Sequence, residues 1–180
     1  MAHISDHQRI EKDEHLTGDQ AIAKVRKLLP SFHAAIFVTG VHSGKELHSR
    51  PLELQGDPAV FGGTLWFFAD DRSPKVYELA VDTSVCLFFQ NDSAHHYLQL
   101  DGTASLSKEQ SKMRELYRPT LKAWFPDGLE DPHLVLIRVD ATSGAYWESP
   151  GGVLQFAAAL ATSVVTGKPG KSGTSGTLSF

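Results

Sequence analysis

Short apolar runs, broken by glycine, proline and acidic turns, divide the chain into many small pieces. Residues 1–16 are polar, rich in His, Asp and Glu, and read as a flexible lead-in. From Thr17 to Leu29, the positions Ala21, Ile22, Val25, Leu28 and Leu29 recur at helical spacing. That predicts a helix capped by Thr17 or Asp19 and ended by Pro30. AAIFVT (34–39) is a brief apolar run and predicts a buried strand. KELHSRPLEL alternates and predicts a strand with an irregularity at Pro51, because proline lacks a ladder donor. TLWFFA (64–69) predicts another strand, DDRSP a turn, and Pro74 the first position of a helix carrying Val76, Leu79 and Ala80. Strands are expected at 84–90 and 95–106, then a helix from Lys108 to Tyr117 capped by Ser107. HLVLIRV (133–139) and the shorter 144–148 read as two further strands, and 152–165 as a helix. Residues 168–180, KPGKSGTSGTLSF, are low in complexity and read as a flexible tail.

The strands do not alternate with long helices, so a doubly wound parallel sheet does not fit. The pattern predicts a mainly β (α+β) domain over 17–167, an antiparallel barrel with short peripheral helices.

Composition narrows the function classes. Apolar residues are 41% and charged residues 21%, ordinary for a globular domain, and the net charge is −4. No basic excess favours nucleic acid. The most apolar stretch, 151–165, falls short of the ~20 residues that span a bilayer. The single cysteine, Cys86, allows no intrachain disulfide and reads as a buried, inert thiol. With no signal-peptide pattern at the start, the expectation is a cytoplasmic protein with neither a nucleic-acid nor a membrane partner.

One constellation carries candidate chemistry. Arg50 stands on a predicted strand, and Ser73 and Lys75 flank the start of a predicted helix. An arginine fork, a lysine charge, a hydroxyl and helix-start amides suit a phosphate group. Read from the residues alone, Arg50 in a surface ion pair and Ser73 as a mere helix cap remain open. Alternation sets Trp66 and Phe68 opposite Phe67, so the three cannot line one pocket. Gly170-Lys171-Ser172 fails as a P-loop because Val165 stands where its first glycine belongs. His3 with His7, and His95 with His96, offer no metal site: the first pair sits in a polar lead-in and the second on opposite strand faces. His33 and His48 read as structural histidines, and the acidic turn of Asp127, Glu130 and Asp131 as solvated.

Taken together, HSRPL, GGTLWFFADDRSPKV, YLQLDGTASL, LKAWFPDGLEDPHLVLIRV and GAYWESPGG occur in this order, with fitting spacing, from His48 to Gly152. This series resembles the general stress protein branch of the pyridoxamine 5'-phosphate oxidase-like superfamily, and the resemblance covers about residues 17–167. The resemblance implies a split β-barrel that binds FMN, with FAD as the alternative, at the interface of a homodimer. It implies that Arg50, Ser73 and Lys75 hold the flavin phosphate. Pro51 and Leu52 would run beneath the ring, and Phe68 and Ala69 would hold it at a strand end. Trp147 would approach from the partner subunit, Trp124 would lie near the dimer groove, and Gln99 matches a ring neighbour loosely. Family members often carry a hydroxyl at position 69; its loss removes a hydrogen bond of ~0.5–1.5 kcal/mol. The arginine and histidine that hold pyridoxamine phosphate near the C-terminus of true oxidases have no counterpart here. The implied activity is a flavin-dependent oxidoreductase with no assigned catalytic residue. A flavin-binding stress or sensor protein without turnover, or an F420-dependent reductase, are the alternatives.

Overall fold

The computed structural model describes residues 14–42, 46–148 and 173–180. The expected helix at 152–165, the His3–His7 pair and Gly170-Lys171-Ser172 lie outside them.

The strands are β1 (Glu14–Thr17), β2 (Ala34–Thr39), β3 (His48–Glu53), β4 (Thr64–Asp70), β5 (Ser84–Asn91), β6 (His96–Ser107), β7 (Leu134–Glu148) and β8 (Thr174–Ser179). The helices are α1 (Asp19–Leu28), α2 (Pro74–Val81) and α3 (Gln110–Leu116). Hydrogen bonding runs in the order β1-β8-β7-β6-β5-β2-β3, and β4 pairs with β7. All pairs are antiparallel except β1 with β8. The sequence β4-β7-β6-β5-β2-β3 curls into a barrel whose two ends, β3 and β4, meet only at the single bridge Gln55–Trp66. That gap makes the barrel split.

The alternation read from the sequence sets the two layers of the core. Phe67 faces inward at 0% exposure and meets Phe37 edge-to-face at 5.5 Å. Trp66 and Phe68 face outward from β4 and pack with Met113, Leu116, Leu121, Leu134 and Leu136 beneath α3. Each fully buried Phe or Leu contributes roughly 1.5–3 kcal/mol through removal from water.

Several expectations need correction. Gly18, not Thr17 or Asp19, caps α1; its φ of 52° with ψ of −125° suits glycine alone, and its amide donates to Ser179 O at 2.9 Å. Pro51 makes no irregularity: β3 lies at the sheet edge, and Pro51 pairs in register with Ile36. Ser107 does not cap α3, which begins after Glu109; its Oγ instead accepts the Glu109 amide at 3.2 Å. The expected strands at 133–139 and 144–148 are one strand, β7. Thr142 is accommodated as an extra residue where the β6 register shifts at Asp101/Gly102. Gly102 makes this close passage feasible, since a Cβ there would collide with Asp140 O. Along its other edge β7 exchanges partners, β4 for its first half and β8 for its second.

Both expected flexible ends contribute strands. Residues 174–179 of the expected tail form β8, held between β1 and β7, with Ser175 and Leu178 buried. Residues 14–16 of the expected lead-in belong to β1, and Glu14 accepts the hydroxyl of fully buried Tyr146 at 2.6 Å. A small-residue tail reads as loose, yet small residues are what this position admits. A Cβ at Gly176 would stand 2.9 Å from the Tyr146 ring.

Candidate functional site

The split gathers the two banks that the sequence singled out. The bridge Gln55–Trp66 brings the end of β3 beside β4, so β3 with Arg50 and Leu52 forms one bank and β4 with Phe68 and Ala69 the other. Arg50 shares a sheet face with its partner Phe37, so its side chain turns toward the barrel end that α2 covers. α2 seats Val76 and Leu79 in buried positions there, which carries Lys75 and Glu78, one turn apart, to the same end.

Lys75 is half-buried, and burial followed by the nearby Arg50 charge lowers its pKa. Its ammonium has no hydrogen-bond or ion-pair partner among the described residues. In the first turn of α2, the Ser73 amide bonds Asp70 O and the Val76 amide bonds Ser73 O, and Pro74 has no N–H. The Lys75 amide is therefore the donor left over. The Ser73 hydroxyl gives its proton to Asp70 O at 2.6 Å, so in this arrangement Ser73 shapes the turn and offers lone pairs, not a proton.

Arg50 is engaged. Its Nη1 donates to Thr39 Oγ1 at 2.7 Å and its Nη2 to Glu78 Oε2 at 2.7 Å. Burial pushes the Glu78 carboxyl up, but hydrogen bonds from Thr39 and Arg50 outweigh it and hold the pKa below the usual glutamate value. The ion-pair alternative for Arg50 is thus realised alongside its place in the cationic cluster. Thr39 and Glu78 escaped notice in the sequence. The signal for Glu78 was available, because it follows Lys75 by one turn on a predicted helix face.

The neighbouring acids are neutralised. Arg72 clasps Asp70 at 3.0 and 2.6 Å and holds its carboxyl far below the ordinary range. Lys108 and His133 bond Asp71 at 2.7 and 3.0 Å and lower it too. Asp70, Asp71 and His133 lie close enough to share an ion, but these partners already occupy them.

The remaining expected residues divide. Pro51 is exposed on the outer face of β3, while Leu52 packs against the core. Phe68 and Ala69 are 7% and 2% exposed, so their side chains are taken up in packing and they offer the split only main chain. Trp124 is 78% exposed after a 3₁₀ turn at Pro119–Ala123. Trp147 is 46% exposed on β7, in the half of that strand that pairs with β8 and not with β4. Gln99 bonds the Asp101 carboxylate at 3.1 Å. The sheet row Pro51–Ile36–Phe88–Gln99 is open to solvent, with Ile36 and Phe88 44% and 45% exposed.

Comparison with known proteins agrees with this architecture. A family model described as pyridoxamine 5'-phosphate oxidase like matches residues 20–170. The protein bli-3 of Neurospora crassa is 29% identical over 165 residues, covering 87% of this chain and 78% of that protein. The crystal structure of a protein assigned as general stress protein 26 from Jannaschia sp. CCS1 superposes with a TM-score of 0.74 at 22% identity, covering 87% of this chain and 96% of that one. The general stress FMN/FAD binding protein of Xanthomonas citri superposes with a TM-score of 0.59 at 25% identity, over 72% of this chain and 89% of that one. No helix among the described residues is long and apolar enough to cross a membrane. With the split barrel and the family match agreeing over most of its length, the chain belongs to the pyridoxamine 5'-phosphate oxidase-like family and is built as its general stress proteins are.

Proposed function

We propose that this protein binds FMN through a phosphate cradle at the split of its barrel, as a cytoplasmic homodimer, and serves as a flavin-dependent oxidoreductase. One observation carries the reading. Two cations, Arg50 and Lys75, come from opposite banks of the split into electrostatic reach of each other, and among the described residues neither the Lys75 ammonium nor its amide has a hydrogen-bond partner, Asp70 and Glu78 acting on the ammonium only at longer range. Like charges brought together at partial burial call for an anion, and a guanidinium, an ammonium and a helix-start amide suit phosphate oxygens. The donor set therefore fits a flavin nucleotide, and the FMN/FAD description of the Xanthomonas citri protein supports the same ligand.

Bound flavin supplies redox chemistry; the chain binds, orients and screens it. Arg50 and Lys75 would take the phosphate. The main chain of Leu52, Phe68 and Ala69 would border the rest. The solvent-open row of Pro51, Ile36 and Phe88 suits a second copy of the chain. Half-exposed Trp147 would meet the ligand from that copy.

The test begins with the purified protein, which should show visible flavin bands. Arg50→Ala combined with Lys75→Ala should strip them; a double variant that retains full colour overturns the site. A deazaflavin spectrum in place of the flavin bands would select the F420 reading. Stopped-flow mixing with NADH or NADPH tests the activity, and bound flavin that is never reduced would identify a carrier.

A further inference from the structure

The guanidinium of Arg50 belongs to a closed triangle. It donates to Thr39 and to Glu78, and Thr39 Oγ1 donates to the same Glu78 Oε2 at 2.6 Å. Thr39 is fully buried, and the side chains of Arg50 and Glu78 are 22% and 21% exposed. The triangle fixes the fork. It also fixes a full negative charge beside the two cations, so Arg50, Lys75 and Glu78 together carry a net charge of +1. The other groups facing Glu78 do not cancel it. His48 Nδ1 stands 3.9 Å from Oε1 on an exposed ring, and Asp70, the next acid along, is taken by Arg72.

A carboxylate at this place acts on phosphates according to their charge. A terminal phosphate monoester, as in FMN, carries about −1.5 to −2 near neutral pH. Each phosphate of a diphosphate diester, as in FAD, carries a single charge. Coulomb repulsion is proportional to charge, so Glu78 opposes the monoester up to about twice as strongly as a singly charged phosphate in the same seat.

We infer that Glu78 is a specificity-determining residue, one that lowers affinity for a doubly ionised terminal phosphate more than for a singly ionised diphosphate group. The inference rests on the flavin reading of the cradle. Effects common to both ligands, such as a reoriented Arg50, cancel in the ratio of their affinities.

The experiment measures dissociation constants of FMN, FAD and riboflavin for the full chain by fluorescence titration, near neutral pH and at low salt. Relative to wild type, Glu78→Gln should raise the FMN-to-FAD affinity ratio roughly fivefold or more, and the gain should shrink at high salt. Glu78→Asp, which keeps the charge, should leave the ratio within about twofold of wild type, and riboflavin affinity should be unmoved by either. If Glu78→Gln does not fold, Glu78→Ser removes the charge while leaving a hydroxyl for Thr39, and the same shift is expected. An unchanged ratio in a charge-free variant that binds flavin overturns this inference alone. A wild-type protein that binds none of the three overturns the cradle itself.

Discussion

Leu178→Ala is the sharpest test of whether β8 is part of the structural unit. Leu178 is 2% exposed and belongs to the main core. Its cross-strand partners are Gly144 on β7 and Leu16 on β1. Gly144 has no side chain with which to fill the space, and a Cβ placed there would collide with Gln99 O, so that backbone is already as close as it can come. The site therefore collapses poorly, and the loss combines the transfer of a leucine with a retained cavity. Such replacements cost 2–5 kcal/mol, and about 3 kcal/mol is expected here. For a chain of this length, that lowers the melting temperature by roughly 6–12 °C. The assay is thermal unfolding followed by circular dichroism, at one fixed protein concentration because self-association raises apparent stability by mass action. Thr174→Ala, exposed on the same strand, is the control and should change stability by less than about 0.5 kcal/mol. A Leu178→Ala protein that melts with the control would refute the reasoning and return the segment to the status of a loose tail.

Two further predictions concern titratable groups. Burial pushes Glu148 up, but the Lys24 hydrogen bond at 2.7 Å and the charges of Lys24 and Lys27 hold it below the ordinary 4.5. A depressed carboxyl contributes stability that is full above its unfolded pKa and is lost as pH falls through the folded one. Glu148→Gln should therefore be less stable at neutral pH and lose stability less steeply below about pH 4.5 in denaturant titrations; parallel acid limbs would contradict this. The Cys86 thiol is pushed up to about 12 by burial, reinforced by its hydrogen bond and charge interaction with Asp101. In the native protein it should resist a thiol reagent near pH 8 and label stoichiometrically once unfolded; fast labelling of native protein would show the β5 position to be open.

Much of the barrel was legible because its strands are short apolar runs bounded by turn residues. AAIFVT, TLWFFA and SVCLFFQ became β2, β4 and β5 with ends shifted by no more than one residue. What was hidden depends on distant partners. Nothing local in GTSGTLS announces a strand. Its buried glycine is explained by Glu14, more than a hundred residues earlier, and by Tyr146, packed from another strand. The continuity of β7 was masked by Asp140, Thr142 and Ser143, polar residues that read as a break until the opposing bulge is seen. At the candidate site, residue types put Arg50 and Lys75 forward beside an ion-pair alternative, and the family resemblance joined them. The commitment of Arg50 to Glu78 and Thr39 came from the packing of α2 across the barrel end, which no linear motif records.

The seam between β3 and β4 has a mechanical consequence. A cylinder closed by a full ladder must break several backbone pairs before it can widen, and each pair resists. Between β3 and β4 this one has a single bridge, Gln55–Trp66, with the Arg50–Glu78 ion pair tying β3 to α2 beside it, and the Gln55 side-chain oxygen is buried without a hydrogen-bond partner among the described residues. Spreading the two banks would therefore break fewer backbone pairs than opening a full ladder, with the Arg50–Glu78 ion pair as the further contact to be lost. By backbone pairing, the barrel is weakest along this one line. That line runs between β3 and β4, so the least-paired seam of the barrel is also the one that carries the candidate site.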